Sequence, residues 1–139
     1  MFGMTKKQFL KKSKNCLKET GIELLLIREI FNQEINSAID LEKALQKLEN
    51  VRKRLEDIFF QYEHLNPPSK CKTVQLNILN ALIILQESVV INSEYLILLK
   101  DGLNEPARDK LEKSIDKLDE FRHDFKKLSK EVDLYLPQR

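Results

Sequence analysis

From Leu41 to Leu65 the apolar residues fall three or four positions apart, at Leu41, Leu45, Leu48, Val51, Leu55, Ile58, Tyr62 and Leu65. The same spacing returns at Leu111, Ile115, Leu118, Phe121, Phe125, Leu128, Val132 and Tyr135. A helix turns once in about 3.6 residues, so each series lines one face, whereas a strand would need an alternation of two. Both segments therefore read as long amphipathic helices. An earlier and less regular stripe at Phe9, Cys16, Leu17, Leu24, Ile27 and Phe31 predicts another, with Gly21 as a candidate bend or break.

Helix breaks are expected at three places. Ser37-Ala38-Ile39-Asp40 resembles a capping box with Asp in place of Glu. In Leu65-Asn66-Pro67-Pro68-Ser69 two prolines remove amide donors and restrict their neighbours. In Lys100-Asp101-Gly102-Leu103-Asn104, Gly102 suits a left-handed C-cap and Asn104 the next N-cap. The expected fold is all-α: a four-helix up-down-up-down antiparallel bundle over about residues 5–33, 37–65, 69–100 and 105–134. Each helix would be about 40 Å long. The 139 residues are expected to form one domain, with 1–4 and 136–139 frayed. The runner-up fuses the first two segments into one bent helix against a hairpin.

The third segment differs from its neighbours. Between Leu79 and Leu99, 14 of 21 residues are apolar, yet Asn80, Gln86, Glu87, Ser88, Asn92, Ser93 and Glu94 interrupt them and no apolar run exceeds five. That pattern argues against a transmembrane span. On a helical projection Val74, Ile78, Ala81, Leu82, Leu85, Val89, Leu96 and Leu99 share a broad face, opposite Asn80, Glu87 and Glu94. Asn92 falls within the apolar face, where a buried amide needs a hydrogen-bond partner or water. The surplus lies on two flanks, Ile84, Ile91 and Leu98 on one side and Ile83, Val90 and Ile97 on the other. Two readings follow: either this is the most buried helix of a monomer, or one flank, centred on Ile84, Ile91 and Leu98, meets another protein or a second copy as a homodimer.

Charge is distributed unevenly. Lys6, Lys7, Lys11, Lys12, Lys14 and Lys18 stand against Glu19 alone in the first 20 residues, while the rest of the chain is slightly acidic. An anionic partner, nucleic acid or a membrane surface, would therefore be met by the first helix. That segment has no arginine and only Phe2 and Phe9 as aromatics, so sequence-specific nucleic-acid readout is not expected. Its lysines leave no apolar core for a secretory signal, and a cytoplasmic location is expected.

Residues suited to chemistry are few. His123 makes a Glu-x-x-His with Glu120, but a di-iron centre needs a second such pair, and none occurs. His64, before the double proline, suits a helix end, where a cationic ring favours the terminal carbonyls. Cys16 and Cys71 permit a single disulfide and fall short of a four-ligand zinc set. On a lysine-rich helix, the Cys16 thiolate is expected to gain modest stabilisation. Phosphate loops, nucleophile elbows and zinc-protease motifs are absent from the sequence. The expected function is non-enzymatic: protein-protein interaction or self-association through an apolar helical surface, with no cofactor or metal. The alternative is a peripheral binder of anionic surfaces through the six lysines.

Overall fold

The computed structural model describes residues 3–136. Its helices are α1 (Lys6–Ile35), α2 (Leu41–Glu63), α3 (Lys72–Lys100) and α4 (Asn104–Tyr135), with a single 3₁₀ turn at Ser69–Cys71 leading into α3. They form the expected four-helix bundle. Each helix packs against its neighbours in the chain, α4 closes the ring against α1, and α1 and α3 meet only across the diagonal. The α3–α4 pair has the most extensive contact.

The core follows the apolar spacing. Phe9, Leu10 and Ile27 of α1, Leu48 and Val51 of α2, Ile78, Leu85, Val89 and Leu96 of α3, and Phe121 and Val132 of α4 are almost wholly removed from water. Gly21 does not divide α1, which runs unbroken through it. A Cβ there would lie 3.6 Å from the Phe125 ring of α4, an ordinary van der Waals contact.

Local chemistry sets the helix ends. Thr5 and Gln8 form a reciprocal capping box at the start of α1, each side chain satisfying the other's amide. The expected box at Ser37 divides into two signals. Ser37 has φ 55 and hands its amide to the Glu34 carbonyl, so it belongs to the exit of α1. Asp40 alone caps α2, accepting from the Lys43 amide, and α2 therefore starts at Leu41 rather than 37. Gly102 takes the expected left-handed conformation at φ 78. Asn104 is already helical and leaves α4 without a side-chain cap.

Part of the expected frayed ends, residues 1–2 and 137–139, lies outside the described residues. Gly3 and Met4 are docked: the Met4 amide donates to the Asn66 carbonyl at 3.2 Å, and a Cβ on Gly3 would approach Asn66 within 3.2 Å. Leu136 also packs against the core. Ser69–Lys100 is long and apolar enough to cross a bilayer by length and composition alone. Within the bundle this helix buries Ser88 and Asn92 completely, each hydrogen-bonded to α4.

Candidate functional site

The outer face of α3 carries a line of uncovered apolar side chains. Leu76, Ile83, Val90 and Ile97 stand seven residues apart and are 58%, 46%, 42% and 49% exposed. Seven residues fall about 20° short of two full turns, so such a series stays on one side of a helix. Its span is about 32 Å. Beside the line, Leu55 and Phe59 of α2 and Leu82, Ile83, Val90 and Ile91 of α3 wall a groove of about 500 Å³. The Gln86 amide donates to the Arg52 carbonyl at 3.0 Å, tying α2 to α3 beside the groove. Glu56 and Glu87 form its rim, the first paired to Arg52 at 2.9 Å and the second to Lys117 at 3.7 Å.

The two flanks of α3 are thus unequal. Ile84 and Leu98 are half-buried against the bundle core, and Ile91 is half-buried at the groove. The opposite flank, Ile83, Val90 and Ile97, is the more exposed. Leu76 was not among the residues singled out from the sequence. Its position seven before Ile83 is the signal that extends the series.

The six lysines of α1 are all exposed. At 100° per residue Lys7, Lys11, Lys14 and Lys18 fall within an arc of about 60°. Lys14 pairs with Asp133 of α4 at 3.0 Å, and Lys6 sits 5.2 Å from the centre of the Tyr135 ring. Lys12 points to the α2 side, where it lines a shallow cleft with Cys16, Glu19, Gln61 and Tyr62.

Four polar side chains meet in the interior where α1 ends. Asn92 of α3 donates to Glu34 Oε1 of α1 at 2.8 Å and to Ser114 Oγ of α4 at 3.0 Å. Ser114 donates to the Leu111 carbonyl at 2.8 Å, and Ser88 of α3 to the Ser114 carbonyl at 2.7 Å. Burial pushes the Glu34 carboxyl up to about 8, against the opposing effect of the Asn92 hydrogen bond. The expected polar contact at Asn92 is thereby identified, while its partner Glu34 was missed in the sequence.

The other candidate residues have structural settings. His64 caps α2 as expected, with Nδ1 2.7 Å from the Phe60 carbonyl. His123 is exposed. Cys16 and Cys71 are buried free thiols. The expected lysine stabilisation of a Cys16 thiolate is overturned: burial, with a further contribution from Glu19, pushes the thiol up to about 12. Among the described residues no three His, Cys, Asp or Glu side chains gather where they could hold a metal ion. Comparison with protein-family models, curated proteins and solved structures finds no match.

Proposed function

We propose that this helical bundle is a non-catalytic protein-interaction module whose outer α3 face pairs with another helix, a second copy being the occupant that fits best. The observation carrying the proposal is the exposed line Leu76, Ile83, Val90 and Ile97. Even spacing makes it read alike in both directions. In an antiparallel pair about a two-fold axis, Leu76 meets Ile97 of the other copy and Ile83 meets Val90. The same register sets Glu94 opposite Leu79 and brings the two copies' Glu87 near each other at the two-fold axis, where Lys117 at 3.7 Å offsets each charge.

Covering a half-exposed branched side chain contributes on the order of 1 kcal/mol. Four per copy give a gain that only matches the cost of association, so a dimer with a constant of about micromolar also requires the groove beside the line to be covered. Sedimentation equilibrium over a concentration series tests this. The wild-type chain should dimerise with little dependence on salt, and I83E/V90E should remain monomeric. Because both positions face water, that variant should keep its stability to within about 0.5 kcal/mol per site. A wild-type monomer persisting at about 100 μM, well above the expected constant, would overturn self-association.

A second reading rests on the lysine row of α1. Lys7, Lys11 and Lys18 have no ion-pair partner among the described residues, and Ile22 and Leu25 continue the same outer face uncovered. A basic row beside exposed apolar groups suits the surface of anionic lipid. Vesicles containing phosphatidylserine should then bind the chain at low salt and release it at high salt. Unchanged recovery of the K7E/K11E/K18E variant with such vesicles would exclude this reading.

A further inference from the structure

Two buried glutamates lie on α1, and their surroundings differ. Glu23 receives Arg54 Nε at 2.9 Å on each of its oxygens, an ion pair that explains a buried carboxylate. Glu34 is just as buried, at 4% exposure, and has no cation paired to it among the described residues. Its one side-chain partner is a neutral amide.

Accounting for the hydrogens of this cluster leads further. Both Asn92 Nδ2 hydrogens are used, one on Glu34 Oε1 and one on Ser114 Oγ. The Ser114 hydroxyl hydrogen goes to the Leu111 carbonyl, and that of Ser88 to the Ser114 carbonyl. No hydrogen remains for Glu34 Oε2 or Asn92 Oδ1, two buried acceptors that both lack a partner. They belong to the two side chains already joined by the Nδ2–Oε1 bond. An ionised Glu34 would leave both atoms unsatisfied and add an unpaired charge, each costly in the interior. One proton on Oε2 resolves both. The carboxyl becomes a donor, and Asn92 Oδ1, on the side chain it already bonds, is the acceptor left without a hydrogen.

We propose that Glu34 is a buried proton-binding site, held as the neutral acid against Asn92, and that this proton fastens the end of α1 to α3 and α4. The upward displacement of the Glu34 carboxyl to about 8 agrees with this geometry. Charged groups around the site do not counter it. From α2 and its approach Asp40, Glu42, Lys43 and Lys47 are exposed; from α3 Glu94 and Lys100 are exposed, paired to Lys110 and Glu42 respectively. From α4 Asp109 and Lys113 pair with each other on the surface. The titratable neighbour that senses Glu34 is Tyr95 of α3, raised by burial and then by the Glu34 charge. Loss of the proton places a bare carboxylate on the Asn92–Ser114 contact, and the α1 exit at Ser37, bonded to the Glu34 carbonyl, is the segment it would loosen.

A carboxyl NMR titration of the full chain labelled with ¹³C at the glutamate side chains tests the assignment. One of the fourteen glutamate carboxyls should stay protonated through neutrality and titrate near 8. The Asn92 side-chain amide should shift with it. That resonance should vanish in Glu34→Gln, whose amide keeps a donor for Asn92 Oδ1 and should leave the fold intact. The variant's urea midpoint should be flat from about pH 5 to about pH 8, where the wild type declines. All carboxyls titrating below about pH 6, or an unchanged slope in E34Q, would overturn the proposal. Should E34Q fail to fold, the wild-type titration, assigned through Asn92, still decides it.

Discussion

As the pH rises from 4.5 to about 8, the folded chain should lose stability, by an amount on the order of 5 kcal/mol if Glu34 alone sets the change. The sign follows from proton binding. Glu34 has an ordinary carboxyl affinity in the unfolded chain and a raised one in the fold, so across that interval the folded state holds one more proton. Its contribution is complete below 4.5, declines through the interval and is exhausted above about 8. Other displaced groups act outside this window. Glu49 is lowered, chiefly by its hydrogen bond to Arg52, and its contribution is lost as the pH falls toward and below the ordinary carboxylate range. Cys16 and Tyr62 are raised, mainly by burial, and matter only in alkali. Maximum stability should therefore lie on the mildly acid side, and urea unfolding at a series of pH values would reveal it. A curve level between about pH 5 and about pH 8 contradicts a buried Glu34 acid.

The other large effect should come from Phe9→Ala, at about 3–5 kcal/mol. Phe9 is completely buried and packs its ring 5.8 Å from that of Tyr62, which joins α1 to α2. Tyr62→Phe is the informative comparison. It retains the ring and loses only the 2.7 Å hydrogen bond to Ser13, at a cost of about 1–2 kcal/mol. Equilibrium denaturation measures both. Equal losses for the two variants would mean that the hydroxyl contact, rather than ring packing, holds α1 to α2.

Four helices were legible because apolar spacing and chain breaks agreed. Their boundaries were less so where polar residues could serve either adjacent helix. Ser37 and Asp40 have similar capping chemistry, and only the positive φ at Ser37 assigns it to the exit of α1. Gly21 reads as a weakness in one helix, yet α1 runs through it unbroken beside the Phe125 ring of α4. Glu34 was hidden among Gln33, Ile35 and Asn36, although its spacing from Ile27 and Phe31 puts it on the core face. Ser114 shares the face of Leu111 and Leu118 in the same way. Spacing can place such a residue inside, but the residue it meets depends on how distant helices align. The flanks of α3 have the same ambiguity, since their local patterns match and only the packing of the bundle makes them unequal.

The extensive α3–α4 contact also bears on how the chain reaches this fold. Only Asp101, Gly102 and Leu103 separate those two helices, so closing them on each other requires little loop entropy. The contacts joining α1 to α4 must instead bridge most of the sequence. Local pairs that bury much surface are favoured as nuclei, and α3–α4 should therefore be largely formed in the transition state, with α1 docking afterward. Core truncations at Leu85 and Phe121 should slow folding, whereas truncation at Ile27 should chiefly hasten unfolding. The helix that leads the bundle in chain order would then be the last to find its place.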